Sequence, residues 1–350
     1  MIDDDTDENT AENLDQDTLQ QRLDQLDQED GDKQIFDKNE PDDFKPGIGL
    51  SLGSGMARGF AHIGVLNCLL RHGIQPSVVT GTSMGAVVGA CYLAGRLGAL
   101  EEWSTSLNRV KILSYLDLRV RSAGMIGGKK LNKLLNEHFS DMYIEDLPHP
   151  FIAIASDLVT GHEVWLRKGS LIEAMSASFA LPGVFPPVVR NGRLLVDGAL
   201  VNPVPVAPAQ AMGARMTIGV DLNTDIIGKA AKPGQAFPTV AGFDVFDEKD
   251  IPKEEQTKLK GGMARRLFSR KKDAPSLFGV MVSALGIMQD RMTRSRLAGD
   301  PPDIHIKPQI GHIGLLEFEK AEELIALGEE ATEKCIPEIK EAMKLFLRYE

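Results

Sequence analysis

Gly81-Thr82-Ser83-Met84-Gly85, set between Val78-Val79-Thr80 and Ala86-Val87-Val88-Gly89-Ala90-Cys91-Tyr92-Leu93-Ala94, is the stretch on which the reading of this chain turns. The β-branched run before it has the composition of a strand, and the apolar, small-residue run after it is long enough for a buried helix. A serine with glycine two residues away on each side suits a sharp strand-to-helix turn, where bulk would block the backbone and the hydroxyl is left facing a substrate. By itself such a pentapeptide also arises as an ordinary small-residue turn in a chain with 34 glycines.

Working outward, the elements alternate from Ile48 onward. Ile48 to Leu52 reads as a strand, a glycine-rich turn leads into a helix from about Arg58 to His72, and the Val78 strand and Ala86 helix follow. Leu131, Leu134 and Leu135 recur at helical spacing in a helix from Lys130 to Phe139, and Phe151 to Ala155 reads as a buried strand. Val188-Val189-Arg190-Asn191-Gly192-Arg193-Leu194-Leu195-Val196 is a hairpin signal, because Asn-Gly suits the φ > 0 positions of a type I′ turn. Further strands are expected at Arg215 to Val220 and Ile304 to Ile306, a core helix at Leu277 to Met288, and helices from Phe318 to Tyr349. Alternation of this kind predicts an α/β fold with a mostly parallel central sheet covered by helices.

Charge is distributed unevenly. Residues 1 to 45 hold 17 Asp or Glu against 4 Lys or Arg, a net of −13, so the total of −11 leaves the other 305 residues near +2. An acidic leader with almost no aromatics cannot bury enough apolar surface to offset its ordering entropy, and 1–45 is read as disordered. It is either a solubilising tail or a docking segment for a protein partner, with Leu14, Leu19, Leu23 and Leu26 spaced for a transient amphipathic helix. The organisation is then a leader over 1–45 and one catalytic-sized domain over 46–350. The leader has no basic-then-apolar signal pattern, and no apolar run approaches the ~18 to 20 residues that span a bilayer. Cys68, Cys91 and Cys335 fall in helix-like segments without metal-type spacing, which reads as free buried thiols, a reducing compartment and a cytoplasmic location.

Residues 223–275 carry Gly, Pro and charge without periodicity and read as an insertion. Inside it Lys258, Lys260, Arg265, Arg266, Arg270, Lys271 and Lys272 bracket Met263, Leu267 and Phe268, a pattern suited to peripheral contact with an anionic membrane over 258–272 or to a solvated loop. Nucleic acid is disfavoured, because the folded part has no large positive excess and no aromatic platform.

Acyl transfer needs a nucleophile, a base and donors for the developing oxyanion. Gly53-Ser54-Gly55-Met56-Ala57-Arg58-Gly59, between a strand and a helix, can supply the donors as backbone N–H groups. The turn also suits a phosphate, but it lacks the lysine-hydroxyl ending of a P-loop and the GxGxxG spacing of a dinucleotide site. Asp197-Gly198-Ala199, at the end of the Asn-Gly hairpin, offers a carboxylate that can act as base where its environment raises its pKa, although many Asp-Gly pairs only make turns. A Ser-His-Asp triad is the competing chemistry, since the order Ser83, Asp197, then His305 or His312 matches an α/β-hydrolase.

Together these segments resemble the patatin-like phospholipase family, in particular its short bacterial members, over Ile48 to the C-terminus. Arg58-Gly59-Phe60-Ala61-His62-Ile63-Gly64-Val65-Leu66, Ala155-Ser156-Asp157-Leu158-Val159-Thr160-Gly161 and Ala177-Ser178-Phe179-Ala180-Leu181-Pro182-Gly183-Val184-Phe185-Pro186-Pro187-Val188 support the resemblance. It implies a three-layer α/β/α patatin-like fold and a Ser-Asp dyad, with Ser83 as nucleophile and Asp197 as proton acceptor and no catalytic histidine. It further implies oxyanion donors among Gly53, Ser54, Gly55 and Met56, support from Gly81, Gly85 and Gly198, and no cofactor or metal. Arg58 matches the family's basic residue after the glycines, where it either braces the turn or attracts an anionic head group. The family usually has a run of glycines where this chain has Ser54 and Met56, which bears on rate and substrate size. His62 and Asp157 are expected to shape the site rather than react. The implied function is a phospholipase A or lysophospholipase-type hydrolase of acyl lipids; the alternative is a lipid-binding or docking protein on the same fold with little turnover.

Overall fold

The computed structural model describes residues 47–108, 111, 129–223 and 277–347. The acidic leader 1–45, the body of the insertion and the basic stretch 258–272 lie outside the described residues. β1 (Ile48–Leu52) and β2 (Val78–Thr82) are buried along their whole length, as strands covered on both faces must be. They pair in parallel, and β2 continues in parallel to β3 (Phe151–Asp157), while β1 pairs in parallel with β7 (Met216–Val220) and β7 with β8 (Ile304–Ile306). β4 (Glu163–Leu166), β5 (Val188–Arg190) and β6 (Arg193–Asp197) add antiparallel pairings, giving an eight-stranded sheet in the order β5-β6-β3-β2-β1-β7-β8 with β4 on β3.

Helices cover both faces. A side chain at Gly49 would meet Ala209 of α6 (Val206–Ala211), and the hydroxyls of Ser51 and Thr80 donate to the Pro205 carbonyl at the start of that helix. The alternate residues Leu52 and Val79 face Gly89 of α2 (Met84–Leu93) on the other side, as the period of two along a strand requires. A short 3-10 turn, Met56–Phe60, leads from β1 into α1 (Ala61–Arg71), which packs against the long C-terminal helix α8 (Ala321–Phe346). The remaining helices are α3 (Leu97–Thr105), α4 (Lys129–Phe139), α5 (Leu171–Ser178), which packs on β3 and β6, and α7 (Leu277–Gly299). The architecture is the expected α/β/α sandwich. No helix of the described residues is long and apolar enough to cross a membrane.

One feature of the register positions the site. β4 occupies one edge of β3 through Ala153–Ser156, so β2 and β6 share the other edge. β2 pairs there up to Thr82 opposite Ile154, and β6 takes over at Asp197 opposite Ala155. The chain of β2 must therefore leave the sheet at Ser83, at the point where Asp197 enters it.

Cys68 and Cys91 are buried free thiols, as expected; Cys335 is instead half-buried on α8. Spacing along the chain hid one association: Cys68, His72 and Glu333 lie with their polar atoms within 4.8 Å of one another. The Cys68 thiol donates to Glu333, which also takes His72 and Arg71, so the group is a hydrogen-bonded link between α1 and α8.

Candidate active site

Ser83 sits at φ 57, ψ −124 between β2 and α2, a backbone that a non-glycine residue holds only under strain. Close packing enforces it. A Cβ on Gly85 would overlap the carbonyl oxygen of Leu52, and one on Gly59 would overlap the Met84 side chain, so the turn after β2 is pressed against the turn after β1. Gly81 and Gly198 also sit against backbone, of Ala86 and Ile154 respectively. The Ser83 N–H donates to the Ser178 hydroxyl at 2.9 Å, and the Thr82 hydroxyl donates to the Asn202 carbonyl at 2.8 Å, pinning the turn from both sides.

The Ser83 hydroxyl donates to Oδ2 of Asp197 at 2.7 Å, in surroundings that leave Asp197 1% exposed. Oδ1 accepts the Ala199 N–H at 2.8 Å, the Asp197 N–H donates to the Ala180 carbonyl, and the Ser156 hydroxyl donates to the Asp197 carbonyl. Both carboxylate oxygens and both backbone groups are thus fixed. Burial pushes the Asp197 carboxyl up to about 7, against the opposing effect of the bonds from Ala199 and Ser83. A carboxylate with a pKa near 7 is a competent proton acceptor at neutral pH.

The turn after β1 narrows the expected set of oxyanion donors. The Gly53 N–H donates to the Val220 carbonyl at 3.1 Å and the Ser54 N–H to the Pro203 carbonyl at 2.8 Å, so these two amides are already engaged and cannot serve an oxyanion in this arrangement. The Gly55 and Met56 N–H groups, both buried, have no acceptor among the described residues. Successive amides left open in this way form an anion-binding concavity. Met56 has φ 49, a left-handed backbone that a glycine would adopt without strain.

The turn is braced all round. The buried Arg58 Nε donates to the Ile313 carbonyl at 2.7 Å, which is the bracing role of the two considered for it. Burial lowers the His62 pKa to about 4, so the ring is neutral; its Nε2–H donates to the Gly53 carbonyl at 2.7 Å. The Asn223 amide reaches the Ser54 hydroxyl at 3.3 Å. Asp157 is a turn-former: burial opposes its charge, but the Val159 and Thr160 N–H groups bind Oδ1 and the carboxyl is held below its usual range.

Neither candidate triad histidine joins this group. His305 Nε2 lies 3.6 Å from Asp221 Oδ2, and His312 Nε2 lies 2.7 Å from Glu323 Oε1. Residues that sequence reasoning did not single out are Ser178, Asn202 and Asn223. Ser178 lay within a quoted motif, yet a hydroxyl whose use is to accept one N–H carries no local signal.

The geometry therefore offers a hydroxyl on a strained turn, an acceptor carboxylate at hydrogen-bond distance and two open amides, the parts acyl transfer requires. Comparison with known proteins agrees in its own terms. The model of the patatin-like phospholipase family matches residues 50–209. An "Uncharacterized NTE family protein" of Mycobacterium tuberculosis is 35% identical over 324 residues, 81% of this chain and 89% of that protein. Human "Patatin-like phospholipase domain-containing protein 6" is 35% identical over 184 residues, 51% of this chain but 13% of that much longer protein. The Drosophila melanogaster protein "Neuropathy target esterase sws" is 34% identical over the same length. With a relative of that identity matched over nearly all of its length, the chain belongs to the patatin-like phospholipase family, a family of carboxylic-ester hydrolases.

Proposed function

We propose that the protein is a serine acyl hydrolase of phospholipase A or lysophospholipase type, cleaving a carboxylic ester of an acyl lipid through an acyl-enzyme on Ser83. The observation that carries this reading is the 2.7 Å hydrogen bond from the strained Ser83 to the buried Asp197. Ser83 Oγ attacks the ester carbonyl while its proton passes to Asp197, and the carbonyl oxygen, now anionic, takes the Gly55 and Met56 N–H groups. Collapse expels the alcohol, which leaves with the proton from Asp197. A water molecule then attacks the acyl-serine, gives its proton to Asp197, and the fatty acid is released as Ser83 recovers that proton. No cofactor or metal is needed for these steps. The three free thiols fit a reducing, cytoplasmic setting.

A fluorophosphonate probe and a short p-nitrophenyl ester test the proposal. Wild type is expected to label and turn over, Ser83→Ala and Asp197→Asn to do neither, and His305→Ala and His312→Ala to label normally. A wild-type chain that neither labels nor hydrolyses any acyl length would leave the lipid-binding alternative, for which the strained Met56 beside the open amides is the supporting feature.

A further inference from the structure

α1 and α8 cross where both carry glycine. A side chain at Gly64 would overlap the Ile325 carbonyl oxygen, and one at Gly328 the Ala61 carbonyl oxygen, so the two backbones touch. Beyond that contact, on the face of α1 that holds Ala61 and Gly64, stand Cys68 and His72, four residues apart and therefore neighbours on one side of the helix. Glu333 of α8 meets both. The Cys68 thiol donates to its Oε2 at 3.3 Å, and His72 Nε2 lies 2.9 Å from Oε1 and 3.0 Å from Oε2.

A thiol, an imidazole and a carboxylate are side chains that bind zinc, and a four-coordinate ion holds such donor atoms roughly 3.3 to 3.6 Å apart. The sulfur and nitrogen distances to Glu333 are already within about half an ångström of that spacing, and all three groups lie within 4.8 Å of one another. Charge also favours a divalent cation. With the thiol ionised, Cys68, Glu333 and Glu329 carry three negative charges against one positive on Arg71, which pairs with the two glutamates at 3.4 and 3.3 Å. His72 caps the C-terminus of α1, where the negative end of the helix dipole adds to the attraction. Cys68 is buried while His72 and Glu333 reach the surface, which gives an ion its way in and water a fourth position. Thiolate and imidazole disfavour the hard cations Ca²⁺ and Mg²⁺, which take oxygen ligands.

We propose that Cys68, His72 and Glu333 bind a Zn²⁺ ion that clamps α1 to α8, at the end of α1 remote from the turn after β1. Burial and the Glu333 carboxylate push the thiol up to about 11, so it keeps its proton until the ion displaces that proton to solvent. The imidazole binds through Nε2 with its own proton on Nδ1, and Arg71 keeps Glu329 as its partner. Near its other end α1 carries His62, which holds the Gly53 carbonyl, so the clamp steadies the helix that anchors that turn. The ion takes no part in the acyl transfer proposed above, and its test does not read turnover, so either proposal can fail alone.

The test is titration of the reduced, metal-free full chain with Co²⁺, which reports a thiolate ligand as a near-ultraviolet charge-transfer band and four-coordination as strong visible absorption, followed by displacement with Zn²⁺. Wild type is expected to take up about one equivalent. Cys68→Ser should lose the charge-transfer band, His72→Gln and Glu333→Gln should bind at least about tenfold more weakly, and Cys335→Ser should bind as wild type does. Zn²⁺ at about a hundredfold excess over its wild-type Kd should raise the melting temperature of wild type by about 5 °C, and that of Glu333→Gln by about half of that or less. A link made of hydrogen bonds alone gives neither the band nor the shift. Where Cys68→Ser fails to fold, the two surface variants carry the test. The proposal is overturned by a wild-type chain without the band, by a band that survives Cys68→Ser or is lost in Cys335→Ser, or by an affinity unchanged in His72→Gln or in Glu333→Gln.

Discussion

The turns after β1 and β2 are neighbours built on the same plan, and each forces one non-glycine residue into a left-handed backbone: Met56 at φ 49 and Ser83 at φ 57. They differ in what that residue contributes. At Ser83 the side chain itself is presented, so glycine cannot replace it. At Met56 the group left open is the buried amide, which every residue but proline possesses, and the buried thioether adds packing at the expense of strain. Strain at the first turn is thus incidental to the chemistry proposed there, while at the second it is inseparable from it.

The strongest way to break this comparison is to remove the side chain that the second turn exists to present. Ser83→Ala and Asp197→Asn are each expected to lower turnover roughly 10³- to 10⁶-fold. For wild type, log kcat/KM should rise with unit slope below pH 7 and level off above it, since Asp197 must be ionised to accept the proton and its pKa is about 7. Stability should run the other way. The folded pKa of Asp197 lies above its unfolded value, so the native state binds the extra proton and loses stability as pH rises from about 4 to 7. Asp197→Asn should therefore melt higher than wild type at pH 8 but not at pH 4, while being inactive at both; equal shifts at the two pH values would refute the buried, raised carboxyl.

Next in size is the contact between the two turns. Gly85→Ala must displace the Leu52 carbonyl and Gly59→Ala the Met84 side chain, each expected to cost about 3 kcal/mol in urea unfolding. Ser178→Ala, which strands the buried Ser83 N–H, should cost about 1 to 3 kcal/mol and slow acylation without changing the pH at which activity levels off. The smallest effect sharpens the comparison most. Met56→Gly should be more stable than Met56→Ala by about 1 kcal/mol, because alanine keeps the strain and glycine releases it. That is the reverse of the ranking inside a helix. If alanine proves the better replacement, Met56 is not strained.

How far the sequence led follows from how local each signal was. β1, β2, the Ser83 turn, α2 and the Asn191-Gly192 hairpin were legible because strand composition, small-residue runs and an Asn-Gly pair act within a few residues; Asn191 and Gly192 do take φ 48 and 74. β4, α3, α5 and α6 were not foreseen. β4 has four residues and α6 six, too few for a period to emerge, and α6 carries a proline within it. In the site, the family motif pointed to four amides after β1, but which remain open depends on carbonyls of Pro203 and Val220, more than 140 residues away in the chain. The pairings of His305 with Asp221 and His312 with Glu323 were likewise invisible until β8 and α8 were placed.

The exchange of partners along β3 has a consequence for how the protein comes into being. Ser83 and Asp197 are 114 residues apart, and they meet only if β6 docks where β2 stops. A slip of one residue in that docking would turn Asp197 to the opposite face of the strand. Recovery of probe labelling after dilution from denaturant is therefore expected to report the docking of β6 on β3, a long-range pairing that collapse of the parallel strands does not by itself supply. A chain that ends before residue 197 of the 350 has the serine but no carboxylate to take its proton, so the chemistry proposed for Ser83 waits until more than half of the chain is made.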